Sequence, residues 1–285
     1  MRPRLTAEDL VTSIWERRAL DPAAILLRDG VAVVTGAARG IGAATAIALA
    51  RFGAHVALCD RDAEGLAATR REVEALGRRA VSSVLDVREE AAVRGFLAEV
   101  GEAFGHVSTL VNNAGGGFYA PFLEVSAKGE SALVRENFGS VTNCVRATVP
   151  LMKQGGSIVN VTSVEAHRAG PGFAIYSAMK AAVANLTKSL ALELAPQRIR
   201  VNCIAPDMIP TAGDAALAEA SSAMALSGVA SAPWPEAGSV WDCAAAAVFL
   251  ASDLSRFITG STLHVDGGTE AAGGWKRRSD GGFML

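Results

Sequence analysis

Val31-Ala32-Val33-Val34-Thr35-Gly36-Ala37-Ala38-Arg39-Gly40-Ile41-Gly42 is a short apolar run that ends in a glycine-rich turn, and a helical pattern follows it through Phe52. The apolar run reads as a buried strand. Strand, glycine turn and helix in that order are the context that supports a dinucleotide fingerprint. Gly36 permits a tight turn, Gly40 lets the backbone approach a pyrophosphate, and Gly42 lets the helix sit close to the strand. The helix N-terminus offers unpaired N–H groups and a positive dipole end to phosphates. The spacing is G-x-x-x-G-x-G rather than the more common G-x-G-x-x-G. The plain alternative is a turn whose glycines serve packing alone.

The next strand, His55–Cys59, ends in Asp60-Arg61. Asp60 follows Gly42 by 18 residues, close to the spacing of about 20 for a ribose-binding acid. A carboxylate there accepts hydrogen bonds from ribose hydroxyls and repels a 2′-phosphate, which favours NAD over NADP. Arg39 and Arg61 weigh the other way, since a guanidinium could neutralise that phosphate. Further strands are read at Ala80–Leu85, Val107–Val111, 155–162, Ile199–Pro206 and Ser261–Val265. Helices alternate with them at Ala63–Leu76, Glu89–Phe104, Tyr176–Leu194 and Trp241–Ala251, and a long helix carries Asn137. Alternation of this kind implies a doubly wound parallel α/β sheet in one domain. Its ligand crevice lies at the carboxyl ends of the strands.

Residues 1–29 read as an extension, with Thr6 as a helix cap and Leu10, Ile14 and Trp15 as an apolar stripe. This helix is expected to pack on the domain or on a neighbouring subunit. Residues 207–240 read as a substrate lid with a short helix, and 276–285 as an exposed tail.

Composition narrows the function. The 285 residues are 50% hydrophobic, with 27 Lys and Arg against 29 Asp and Glu, for a net charge of −2. The basic residues are dispersed, so no nucleic-acid partner is indicated. No signal sequence opens the chain and no run reaches the roughly 18 apolar residues of a membrane span. Cys59, Cys144, Cys203 and Cys243 stand far apart in apolar surroundings, which favours buried, reduced thiols in a cytoplasmic protein. They and the four His show no metal-ligand spacing.

A second stretch carries the chemistry. Ser163 ends the strand 155–162, Tyr176 stands 13 residues later, and Lys180 four residues after that. Positions i and i+4 of a helix share a face. An ammonium beside a phenol favours the phenolate, which suits Tyr176 to proton transfer near neutral pH. A serine hydroxyl at the strand end could hydrogen-bond the reacting oxygen. Alone, a Y-x-x-x-K is a weak signal. Asn137, taken alone, is a satisfied core amide.

With these pieces in order, residues 30–275 resemble the short-chain dehydrogenase/reductase family. The motifs are TGAARGIG (35–42), Asp86-Val87, NNAG (112–115), Asn137, Ser163, Y-x-x-x-K (176–180), IRVNCIAP (199–206) and the TG…VDGG ending (259–268). The resemblance implies a Rossmann-type sheet of about seven strands. It also implies oxidation of a secondary alcohol, or reduction of a ketone, with a nicotinamide cofactor. Tyr176 would be the acid/base, Lys180 would lower its pKa and hold the nicotinamide ribose, Ser163 would orient the substrate oxygen, and Asn137 would position a relay water. Gly36, Arg39, Gly40, Ile41, Gly42, Asp60 and Arg61 would hold the adenosine and phosphates. Asp86 and Val87 would bound the adenine, Asn113, Ala114 and Gly115 would lie along the cofactor, and Pro206, Ile209 and Thr211 would meet the nicotinamide end. Members are usually tetramers, so a homo-oligomer is expected, a tetramer or a dimer, joined through the helices at 131–153 and 174–194. The family usually has Gly where this chain has Asp207, and Asp207 is expected to tolerate the same left-handed backbone. The substrate is expected to be fairly apolar. The alternatives are an NADP-dependent oxoacyl-thioester or carbonyl reductase and a non-catalytic nucleotide-binding regulator.

Overall fold

The computed structural model of the chain describes residues 21–207, 209–211, 232–278 and 281–284. Each expected apolar run becomes a strand: β1 Val31–Thr35, β2 His55–Asp60, β3 Ala80–Val84, β4 Thr109–Asn112, β5 Gly156–Val161, β6 Ile199–Pro206 and β7 Thr262–Val265. All are parallel, in the order β3-β2-β1-β4-β5-β6-β7. The chain moves outward from β1 to β3 and then returns to place β4 on the other side of β1. That reversal opens a crevice above the carboxyl ends of β1 and β4. This is a single-domain Rossmann-type fold.

The α-helices among the described residues are α1 Gly40–Arg51, α2 Ala63–Ala75, α3 Glu90–Phe104, α4 Ala127–Val134, α5 Ser140–Thr148, α6 Ala174–Glu193, α7 Val240–Ala251 and α8 Thr269–Ala272. Side chains alternate across the sheet, so β1 feeds two cores. Ala32 and Val34 join Leu49, Leu58, Ile204 and Val248 on the face covered by α1 and α7. Val31 and Val33 join Phe96, Val145, Ile158 and Val183 on the other face. Covering both faces explains why the strands read as apolar runs rather than as alternating ones.

Three details differ from the sequence reading. β4 begins at Thr109, because the Ser108 hydroxyl accepts from the Val31 N–H at 3.0 Å and so replaces a ladder bond. The helix carrying Asn137 is not continuous: a π-helical turn, Arg135–Gly139, separates α4 from α5. The Asn137 side-chain amide donates to the Leu133 carbonyl at 3.0 Å, and Ser140 donates its backbone N–H to Arg135, five residues back. A side chain that takes the carbonyl four residues back pushes the backbone bond one residue further. The expected tail carries a short antiparallel pair, Lys276–Arg277 with Phe283–Met284. The expected helix near Thr6 and most of the expected lid fall outside the described residues. What is described of the extension includes a 3₁₀ turn, Pro22–Ile25, and a bond from the Leu27 N–H to the Phe52 carbonyl that pins it to the end of α1.

Below the crevice a buried polar string crosses the core. The Asn112 amide donates to Asn160 at 2.8 Å, the Asn160 amide donates to the Thr187 hydroxyl at 2.8 Å, and the Cys203 thiol donates to the same hydroxyl at 3.1 Å. The string joins β4, β5, α6 and β6 at residues almost without solvent contact. Replacing Asn160 by Leu strands the Asn112 amide and removes a partner of Thr187. An unsatisfied buried group costs about 1–3 kcal/mol, so Asn160→Leu is expected to lower stability by about 2–4 kcal/mol. Urea unfolding measures this, and an unchanged midpoint would show that the string is energetically idle.

Candidate active site

Helix α6 starts just beyond the carboxyl end of β5 and runs back along the sheet. Tyr176 and Lys180 lie one turn apart on it, and the Lys180 Nζ stands 5.5 Å from the Tyr176 ring centroid. Lys180 is only 5% exposed, and its ammonium donates to the Val161 carbonyl at 2.9 Å. Burial pulls its pKa down to about 8, against the opposing influence of Cys203 and Glu136. A lysine with that value stays mostly charged at neutral pH while being able to give up its proton above it.

The loop after β4 closes on this pair. A Cβ on Gly115 would lie 2.9 Å from Asn137 Oδ1 and 3.1 Å from Lys180 Nζ, so only glycine lets the backbone pass between them. A Cβ on Gly117 would lie 3.1 Å from the Tyr176 ring. Asn137 is buried behind this loop. Its amide donates to Gly116 O at 2.8 Å and its Oδ1 accepts from Gly116 N at 3.2 Å. Its side chain therefore holds the loop and does not itself face the cleft. Ser163 caps the 3₁₀ turn Val164–Ala166, its Oγ accepting from the Glu165 N–H at 3.2 Å. With that lone pair engaged, the hydroxyl hydrogen is free to be donated into the cleft.

The glycine turn is stitched to β4. The Thr35 hydroxyl accepts from the N–H groups of Asn113 and Ala114 at 3.1 and 3.0 Å. The Asn113 amide donates to the carbonyls of Thr35 and Gly36 at 3.1 and 3.0 Å. Gly36 has φ +64°, and a Cβ on Gly42 would lie 2.0 Å from the Gly36 carbonyl oxygen. The helix therefore sits against the turn, as a phosphate-binding loop requires. Asp60 accepts from the N–H groups of Ala38 and Asp62 at 2.9 and 3.0 Å, which ties the turn to β2 as well. Asp86 forms a two-pronged ion pair with Arg88, which holds its carboxyl below the ordinary carboxylate range.

One cleft of about 700 Å³ runs between these groups. Gly36, Arg39, Gly40, Ile41, Asp60, Arg61, Asp86, Val87, Asn113, Ala114 and Gly115 line one end and its middle. Ser163, Tyr176, Lys180, Pro206 and Ile209 line the other, while Thr211 lies over the glycine turn, 3.4 Å from where a Cβ on Gly40 would stand. Gly42 and Asn137 lie behind the wall. The sequence reading missed Glu136, Glu165 and Phe173, which also line the cleft. Their adjacency to Asn137, Ser163 and Tyr176 is the one signal that points to them. Asp207 lines it too, but not in the expected conformation: the described non-glycine residues with positive φ are Asp29 and Arg198. Its carboxylate is instead 3.3 Å from Arg168, which also reaches Glu165 at 2.9 Å. The Asp207 N–H donates to the Val265 carbonyl at 3.2 Å, which continues the pairing of β6 with β7 and accounts for its ordinary backbone geometry. The wall beyond Ser163 is therefore charged on one side, with Phe118 and Phe173 on another.

The residues present fit a nicotinamide dinucleotide. Helix α1 has no side-chain cap on its first turn, so its N–H groups are left for a phosphate. Among the described residues no group of three or more His, Cys, Asp or Glu could hold a metal ion. No described helix is long and apolar enough to cross a membrane.

Comparison with known proteins agrees with this geometry. A family model described as Enoyl-(Acyl carrier protein) reductase matches residues 36–270. The 3-oxoacyl-(acyl-carrier-protein) reductase of Thermotoga maritima is 36% identical over 244 residues, covering 85% of this chain and 98% of that protein. Carveol dehydrogenase from Mycobacterium avium, solved in complex with NAD, superposes with a TM-score of 0.79 at 30% identity, covering 85% of this chain and 98% of that one. Gluconate 5-dehydrogenase from Burkholderia cenocepacia, solved with NADP and tartrate, superposes with a TM-score of 0.81 at 35% identity, covering 88% and 98%. Motifs, sheet order, cleft and relatives converge: the chain belongs to the short-chain dehydrogenase/reductase family.

Proposed function

We propose that the protein interconverts a secondary alcohol and a ketone with NAD(H), using Tyr176 as general acid and base. The observation that carries this is the convergence of Ser163, Tyr176 and Lys180 at one end of a cleft whose other end is built for a dinucleotide. The cofactor, when bound, supplies or accepts the hydride. The glycine turn and the bare first turn of α1 hold its phosphates, and Lys180 meets its nicotinamide ribose. Ser163 donates its hydroxyl hydrogen to the substrate oxygen and fixes its direction. The Tyr176 phenolate oxygen takes the proton from that oxygen in oxidation, and the phenol so formed returns it in reduction. The Lys180 ammonium beside it stabilises the phenolate. Asn137 keeps Gly115 and Gly116 in place against Lys180, and thereby keeps the lysine where the tyrosine needs it.

NAD is the preferred cofactor in this reading, because Asp60 ends β2 inside the cleft. The substrate has an apolar body that rests on Phe118 and Phe173. Residues 30–275 form the cofactor-binding and catalytic unit, and the exposed Ala178 on α6 offers a close-packing surface to a second copy. A second reading, reduction of an oxoacyl thioester with NADPH, is favoured by the Thermotoga relative. A turnover assay over paired alcohols and ketones, followed by nicotinamide absorbance with each cofactor in parallel, decides between them. Turnover of oxoacyl thioesters with NADPH alone would favour the second.

Tyr176→Phe is expected to lower kcat about 10²–10⁴-fold while NAD still binds, and parent-like turnover would remove Tyr176 from the chemistry. Lys180 gives a pH test. In the unfolded chain it keeps its proton to about 10.4, and in the folded protein only to about 8. Between those values the unfolded chain binds more protons, so the Lys180 contribution to stability rises with pH. Lys180→Met abolishes that titration. The stability difference between the cofactor-free proteins should therefore move in the parent's favour by about 2–3 kcal/mol from pH 7 to pH 10. A pH-independent difference, read by chemical denaturation, would show that the lysine titrates normally.

A further inference from the structure

We infer that Glu136 sets the preference for NAD over NADP by holding the Arg61 guanidinium away from the 2′ position of the adenosine ribose. The inference rests on the proposed dinucleotide site. Arg61 follows Asp60 at the end of β2, and Glu136 sits on the π turn beside Asn137, 75 residues away in sequence. Both line the cleft, and Arg61 Nη2 lies 3.3 Å from Glu136 Oε1. The ion pair therefore links the β2 end of the cleft to its helical wall.

The two partners are held unequally. The Glu136 side chain is 22% exposed, and a Cβ on Gly116 would lie 3.8 Å from its carboxyl. The Arg61 side chain is 59% exposed and has an open path to another anion. The neighbouring arginines are also committed. Arg88 is paired with Asp86, and Arg135 with Glu89 at 2.7 Å. Arg39, which lines the cleft, makes no ion pair among the described residues.

A 2′-phosphate brings nearly two negative charges to a place beside Asp60. It needs a guanidinium, and a two-pronged one is best. Arg61 can serve only by leaving Glu136, whose carboxylate then stands uncompensated in the same cleft. NAD, with a neutral 2′-hydroxyl, asks for no such exchange. Glu136 thus acts on the cofactor through Arg61 as a positioning residue. Exposed ion pairs of this kind are worth roughly a factor of two to five in an equilibrium constant.

The test is a binding titration of the full chain with NAD and with NADP, read by calorimetry without any substrate. Glu136→Gln is expected to lower the ratio Kd(NADP)/Kd(NAD) about two- to fivefold. Arg61→Ala is expected not to lower it. In the Arg61→Ala background, Glu136→Gln should have no further effect, because the partner it restrains is gone. Glu136→Ala provides a second variant should the glutamine protein fold poorly. An unchanged ratio in both Glu136 variants overturns the inference, as does an equal shift with and without Arg61. Parent protein that binds neither dinucleotide overturns the cleft assignment itself, and this inference with it.

Discussion

Two side chains, Thr35 and Asn113, join the halves of the sheet where its strand order reverses. The threonine hydroxyl receives two backbone N–H groups from the end of β4, and the asparagine amide returns two bonds to the glycine turn after β1. β1 and β4 are paired along their lengths from Ala32 to Val34, and the two side chains carry that pairing past the strand ends, where the connections leave in opposite directions. With the stitch in place, Gly36 and Gly42 stay in contact at the phosphate end. The same segment then delivers Gly115 to its position between Asn137 and Lys180. Cofactor end and chemical end are thus held by one short piece of chain, Asn113–Gly117.

Charge in the cleft is arranged on that frame. Lys180 is buried without a carboxylate in contact and is held instead by a backbone carbonyl at the end of β5. Such a cation is costly, and its depressed pKa reflects that cost. Arg61, which also lines the cleft, is paired with Glu136, and at its margin Arg168 is paired with Glu165 and Asp207. The lysine ammonium stands 5.5 Å from the Tyr176 ring centroid. The polar string from Asn112 to Cys203 runs on the same helix two turns further, through Thr187, and keeps α6 registered on the strands beneath it. Seven residues separate Lys180 from Thr187, which places both on one helix face.

Much of this is legible in the sequence, and the exceptions share a cause. The seven strands stand out because burial on both faces makes each an apolar run. The cleft residues cluster because each sits at the end of such a run, and the fold brings strand ends together. The π turn is different. It depends on where the Asn137 amide finds its acceptors, and helical periodicity is blind to that. Glu136 and Arg61 are 75 residues apart, and their pairing exists only once the sheet order is set. At Asp207 the sequence suggests a glycine-like, left-handed backbone, because Asp tolerates that region better than most residues. It instead keeps ordinary geometry, because its N–H pairs with the carbonyl of Val265 on the neighbouring strand.

The four cysteines add a property of a different kind. All are buried and unpaired, and burial raises each thiol, Cys144 and Cys243 to about 12. Only thiolates react readily with alkylating agents and oxidants. The folded chain is therefore chemically quiet at neutral pH, without any disulfide to protect it. Cys203 makes that silence informative, since it lies under Lys180 at the end of the polar string. Its rate of modification is a clock for how often the floor of the cleft opens.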